Sequence, residues 1–168
     1  TEEAIEFRDV TADASIDLHA YATGVAVGDA NGDGFEDLYV TCFGPNKLLI
    51  NQGDGSFVER GTDAGVADEG WGTSASFGDL DADGDLDLYV CNYLEFDPNN
   101  PPPRSTYKGV DVLGGPHGLT PQADVVYENL GDGQFQRANE AWGFTSSPAF
   151  SLNVAVIDFN EDGLQDVF

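Results

Sequence analysis

Positive charge is what this chain has least of. Six Lys and Arg stand against 31 Asp and Glu in 168 residues, a formal charge of −25. So few cations cannot neutralise a phosphate backbone, which excludes nucleic-acid binding through a basic patch. The same deficit disfavours anionic membrane surfaces. No apolar run approaches the roughly 18–20 residues that cross a bilayer, and the opening Thr-Glu-Glu resembles no signal peptide, so no membrane insertion is expected. Methionine is absent, which points to a processed product or a piece of a longer chain. Two cysteines, Cys42 and Cys91, make neither a disulfide framework nor a C-x-x-C site. Two buried free thiols are expected, with a mutual disulfide as the alternative. What is present argues against disorder, the usual companion of such acidity, because 40% hydrophobic and 11% aromatic residues are too many for it. Cations are therefore expected to hold the acid together.

The acid is organised in repeats. Asp29-Ala-Asn-Gly-Asp-Gly-Phe-Glu-Asp37 and Asp79-Leu-Asp-Ala-Asp-Gly-Asp-Leu-Asp87 each run into Leu-Tyr-Val, and Asp158-Phe-Asn-Glu-Asp-Gly-Leu-Gln-Asp166 runs into Val167 and Phe168. A second marker recurs out of phase as Asn51-Gln-Gly-Asp-Gly-Ser-Phe57 and Asn129-Leu-Gly-Asp-Gly-Gln-Phe135. Phe7 opens a degenerate copy of the segment that begins at the marker Phe, since Thr11-Ala-Asp-Ala14 parallels Thr62-Asp63-Ala64. From marker Phe to first loop Asp the spacing is 22, 22 and 23 residues; from loop Asp to marker Asn it is 22, then 50. The unit is thus about 50 residues, interrupted once by an insertion of 28 that lies near 95–123 and is rich in Pro and Gly.

Each unit resolves into four short strands: 24–27 or 74–77 before the acidic loop, 37–42 or 87–92 after it, then 47–51 or 125–129, a Gly-Asp-Gly turn, and 56–60 or 134–137. Four antiparallel strands per roughly 50 residues predict an all-β fold, a β-propeller of four-stranded blades, of which this chain supplies about 2.75. The expected layout is a single partial propeller over 1–168. An outer strand and crossing occupy 6–22, and one blade 23–62 with its loop at 29–37. A second blade occupies 73–140, with its loop at 79–87 and the insertion. The first half of a third lies at 151–168, with its loop at 158–166. Such a count implies either the remainder of a longer chain or several assembling copies.

The acidic nonapeptides fit a hard dication. Calcium takes six to eight oxygens at about 2.3–2.6 Å, and side chains at positions 1, 3, 5 and 9 with a carbonyl at 7 can converge on one point, Gly at 6 permitting the turn. The ligands are then Asp29, Asn31, Asp33 and Asp37 with the carbonyl of Phe35, and Asp79, Asp81, Asp83 and Asp87 with that of Asp85. The third set is Asp158, Asn160, Asp162 and Asp166 with the carbonyl of Leu164. Three calcium ions are expected. Closure by Asp at position 9 differs from the EF-hand, where position 12 is a bidentate Glu. Magnesium demands a tighter octahedron, and zinc and copper lack His or Cys donors here.

These residues resemble the FG-GAP/VCBS repeats, and most closely those of the cartilage acidic protein and its ASPIC/UnbV relatives. The pieces that carry the likeness are Gly28-Asp29-Ala-Asn-Gly-Asp-Gly34, Phe77-Gly-Asp-Leu-Asp-Ala-Asp-Gly84, the marker Tyr127 to Phe135, and Gly115-Pro-His-Gly-Leu119 of the insertion. The resemblance implies an extracellular or periplasmic propeller, sharing its architecture with integrin α-subunit heads and used for binding rather than catalysis. No ASPIC/UnbV C-terminal module is seen in the sequence.

In a four-stranded blade the acidic loops, as one–two connections, lie on one face, and the insertion, a two–three connection, lies on the other. The inter-blade segments with His19, Tyr21, Trp71, Trp142, Phe144 and Phe150 reach that second face. Its candidate partner residues are Tyr21, Trp71, Arg104, Tyr107, Lys108 and His117, with packing between blades as the alternative role for Trp71 and, more so, Trp142. No nucleophile motif or phosphate-binding Gly loop is visible, and calcium would occupy the carboxylates of any glycosidase-like pair. The expected function is a calcium-binding module for a protein or glycan. The alternatives are a subunit that joins head to tail into a ring or fibre, and the propeller of a polysaccharide-degrading enzyme.

Overall fold

The computed structural model describes residues 5–112, 114–116, 118–144 and 147–168. Among them every regular element is a strand. The first four are β1 (Tyr21–Gly28), β2 (Asp37–Phe43), β3 (Lys47–Asn51) and β4 (Phe57–Glu59), which form one antiparallel sheet in that order. The second sheet repeats it with β5 (Gly72–Gly78), β6 (Asp87–Asn92), β9 (Val125–Asn129) and β10 (Phe135–Arg137). Between β6 and β9 the insertion carries its own hairpin, β7 (Ser105–Tyr107) and β8 (Val110–Val112). A third pair, β11 (Val156–Ile157) and β12 (Asp166–Val167), brackets the last acidic loop. No helix among the described residues is long and apolar enough to cross a membrane.

The outer strand expected at the start of 6–22 does not form. Residues 5–10 are coil and Phe7 is exposed. An outer strand is held by a third strand beside it, as β4 is by β3, and residues 5–10 have no such neighbour among the described residues. The crossing after it does repeat. The turn at 10–16 gives its Ala14 carbonyl to the Phe57 amide at 2.9 Å, and the turn at 60–66 gives that of Ala64 to Phe135, also at 2.9 Å.

Along β2, β3, β6 and β9 alternation sends apolar side chains to both faces, so the core lies between the sheets. Tyr39 and Leu48 of the first sheet pack with Leu88, Val90, Val125 and Tyr127 of the second. On the second sheet's far face Tyr89, Cys91 and Val126 meet Val156 and Val167 of the third pair and Val154 just before it. Both cysteines are buried and free, and burial raises the thiol of Cys91 to about 12.

Glycine sets the sheet-to-sheet distance. A β-carbon on Gly28 would lie 2.8 Å from Cδ2 of Phe77, and one on Gly78 would collide with Val156 and Gln165. Register places Ile157 at the equivalent position of the third pair, opposite Asp166 as Gly28 is opposite Asp37. Threonine supplies a second fastening. Register shifts at Thr23 and Thr73 mark a bulge in each first strand. Each bulged hydroxyl reaches the next unit: Thr23 Oγ1 donates to the Gly72 carbonyl and Thr73 Oγ1 to that of Ser151.

Candidate metal centre

The three nonapeptides fold alike because their own short side chains capture their own amides. The amide of position 5 donates to the side chains of positions 1 and 3: Asp33 to Asp29 and Asn31, both at 3.0 Å; Asp83 to Asp79 and Asp81 at 3.1 and 3.2 Å; Asp162 to Asp158 and Asn160 at 3.1 and 2.8 Å. The amide of position 7 (Phe35, Asp85 or Leu164) donates to the carboxylate of position 5. Two residues per loop are left-handed. Position 6 is always Gly, but position 4 is Gly32, Ala82 or Glu161, with φ of 72°, 64° and 61°. A non-glycine residue there costs about 1–2 kcal/mol, and strain of this kind gathers at ligand sites.

Position 9 closes each loop from inside the sheet. Asp37 and Asp87 are buried, and each shares its two oxygens between the amide of position 2 and that of the marker Asn. Asp37 accepts from Ala30 at 2.9 Å and Asn51 at 2.7 Å, Asp87 from Leu80 and Asn129, both at 2.9 Å. Burial raises both carboxyls against the opposing pull of these amides. Asp166 holds Phe159 in the same way at 3.0 Å.

The marker Asn thus has a role that its spacing alone did not disclose. Its amide nitrogen also bonds the carbonyl of position 8 (Glu36 or Leu86), and its oxygen takes the Gly53 or Gly131 amide, so the Gly-Asp-Gly turn is tied to the acidic loop. Asn129 goes further and donates to the carbonyl of Ala30, inside the first sheet's loop, at 2.9 Å.

The second loop brings its acids closest. Ligand oxygens of Asp79, Asp81 and Asp87 lie within 4.8 Å of one another and can hold a metal ion; this is the one such acidic trio among the described residues. In the first and third loops Asn31 and Asn160 take position 3, offering amide oxygens instead. Asp85, expected to contribute its carbonyl, also has a buried carboxylate oxygen with no hydrogen-bond partner among the described residues. Burial, and then the charges of Asp83, Asp87 and Asp81, push its carboxyl up to about 6. An all-oxygen set with an orphaned carboxylate oxygen fits a hard dication and disfavours soft metals.

The opposite face is divided. Tyr21 and Trp71 line one cavity of about 530 Å³ with Phe43, Phe96 and Pro98. Trp71 is wedged edge-on among Phe43, Tyr93 and Phe96, with ring centroids 5.1, 5.5 and 5.6 Å away, so it packs at a sheet junction as well as lining the cavity. Trp142 packs against the second core and Tyr89 stacks edge-on with Phe144. Arg104, Tyr107 and Lys108 do not join Tyr21 and Trp71 in that cavity; they ride the exposed insertion hairpin, where Lys108 Nζ lies 5.4 Å from the Tyr107 ring centroid. His117 lies outside the described residues.

No curated protein matches this chain. The family model described as "FG-GAP-like repeat" matches residues 29–90 and 110–168, which takes in all three acidic loops and both marker turns. With well over half its length so matched, and with the matched segments folded as repeated antiparallel sheets around those loops, the chain belongs to the FG-GAP-like repeat family.

Proposed function

We propose that the chain is part of a calcium-stabilised, extracellular or periplasmic β-propeller that binds a protein or glycan and performs no catalysis. The observation that carries this reading is the convergence of Asp79, Asp81 and Asp87 in a loop whose hydrogen-bond pattern is repeated at 29–37 and 158–166. Ligands in each loop are the side chains of positions 1, 3, 5 and 9 with the carbonyl of position 7, and in the second loop the Asp85 carboxylate besides. Calcium held there would neutralise the loop carboxylates and fix the turn between the first two strands. Three ions would lower the formal charge from −25 to about −19, since each carries two positive charges. Affinities of about 10⁻⁴–10⁻³ M suit an extracellular module.

The aromatic cavity around Trp71 supports a binding face opposite the loops. The insertion and marker support kinship with the cartilage acidic protein and ASPIC/UnbV relatives within the family. Head-to-tail joining of copies through the same junction is disfavoured, because Ile157 stands where Gly28 and Gly78 admit the next sheet. Thermal melting with calcium and with excess chelator tests the reading. At 100-fold excess over Kd each site is expected to add about 2.7 kcal/mol; identical melting in the two conditions refutes it.

A further inference from the structure

Position 3 of the first loop differs from its counterparts in one chemical respect. Asn31 is followed by Gly32, the chain's one Asn-Gly pair, whereas Asn160, at the same position of the third loop, is followed by Glu161. The two asparagines fold alike. Asn31 Oδ1 accepts from the amide of Asp33 at 3.0 Å and Asn160 Oδ1 from that of Asp162 at 2.8 Å, so each side chain curls along the peptide between. In the first loop the amide nitrogen of that peptide belongs to an exposed glycine and donates to nothing among the described residues. A β-carbon on Gly32 would have nothing within 4 Å, so the approach to this nitrogen is open. Asn31 Nδ2 donates to Asp33 Oδ2 at 2.9 Å. From the other side the second sheet braces the residue: a β-carbon on Gly133 would lie 3.2 Å from that of Asn31, and Asn129 holds the Ala30 carbonyl.

Asparagine is labile in water when the next amide nitrogen can reach it, and glycine leaves that nitrogen least hindered. We propose that Asn31 deamidates spontaneously and that calcium in the first loop restrains the reaction. The Gly32 nitrogen attacks Asn31 Cγ. A C–N bond forms, the Cγ–Nδ2 bond breaks, and the Gly32 amide proton passes to Nδ2, which leaves as ammonia. One water molecule then opens the cyclic imide. Cleavage at Cγ gives aspartate, cleavage at the main-chain carbonyl gives isoaspartate, and nothing is oxidised or reduced. The aspartate product gives the first loop acids at positions 1, 3 and 9, as Asp79, Asp81 and Asp87 stand in the second. The isoaspartate product adds a main-chain carbon between positions 3 and 4, so the amides of Asp33 and Gly34 lose their reach to Asp29. One reaction therefore either completes the acid set of the first site or dismantles it. The modification goes beyond the calcium reading; only its restraint rests on that reading, since an ion bound to Asn31 Oδ1 would keep the side chain from turning onto Gly32.

The test is incubation of the protein at physiological temperature and neutral pH, in excess chelator and in saturating calcium, followed by peptide mass spectrometry. Conversion adds about 1 Da to the Asn31 peptide, and electron-transfer fragmentation separates isoaspartate from aspartate. In chelator Asn31 is expected to convert about tenfold faster than Asn160, which shares its fold but not its glycine. Gly32→Ala is expected to slow Asn31 by a similar factor. Ala82, left-handed at the same position of the second loop, shows that such a loop admits alanine there. Saturating calcium is expected to slow Asn31 about threefold or more, because it closes the local opening that the reaction needs. Asn31 converting no faster than Asn160, or equally fast in Gly32→Ala, overturns the modification. Melting the same samples separates the two readings. A calcium-dependent rise without slower conversion overturns the restraint alone, whereas conversion at Asn31 with no such rise upholds the modification and overturns the calcium-stabilised module.

Discussion

Asn129→Ala should be among the most damaging single substitutions of an uncharged residue in this chain. The side chain is 4% exposed and makes three hydrogen bonds: from Nδ2 to the carbonyls of Ala30 and Leu86, each at 2.9 Å, and to Oδ1 from the Gly131 amide at 3.0 Å. The bond from its own backbone amide to Asp87 survives truncation. At about 1 kcal/mol each, and more where a buried group is left unpaired, the loss is about 3 kcal/mol. Asn51 occupies the same motif position, but its side chain makes two solvent-exposed bonds, to the Glu36 carbonyl and from the Gly53 amide. Asn51→Ala should therefore cost about 1 kcal/mol. For a chain of this size these losses correspond to melting decreases of about 6–12 °C and 2–4 °C. Urea unfolding followed by tryptophan fluorescence, with calcium saturating, measures both. Equal losses, or a larger one for Asn51→Ala, would refute the claim that a bond between the two sheets makes the difference.

Gly28→Ala forces a β-carbon to within 2.8 Å of the Phe77 ring and is expected to cost about 1–3 kcal/mol through separation of the first two sheets, read from the urea midpoint. A neutral result would show that the glycine does not set their spacing. Stripped of divalent ions, the protein should lose stability as pH rises from about 4 to about 6. Asp85 is pushed up to about 6, and Asp37 and Asp87 are raised by burial, so in this window the folded state binds more protons than the unfolded one. Saturating calcium should reverse the slope, because it binds the deprotonated loops. Melting curves at stepped pH check both signs, and parallel slopes would contradict the account.

Sequence by itself determined what is local. The strands after each acidic loop begin at Asp37, Asp87 and Asp166, because the nonapeptide closes on its own amides and needs no distant partner. The third strands match the expected 47–51 and 125–129 for a related reason, their ends being pinned by the marker turn. Elsewhere local signals were weak. The insertion hairpin turns at Lys108-Gly109, both with positive φ, and lysine in that position hides a turn that asparagine would have announced. Residues 5–10 carry a strand-like sequence but have, among the described residues, no neighbouring strand to pair with.

Only the tertiary structure decided how the repeats touch. The bulged Thr23 and Thr73, the reach of Asn129 to Ala30, and the wedging of Trp71 beside Phe43 all join residues far apart in the chain, and no spacing rule specifies such contacts. The scarcity of positive charge was plain from composition. Which carboxylates gather in a loop suited to a cation is set by desolvation and proximity, and these exist only once the sheets have packed.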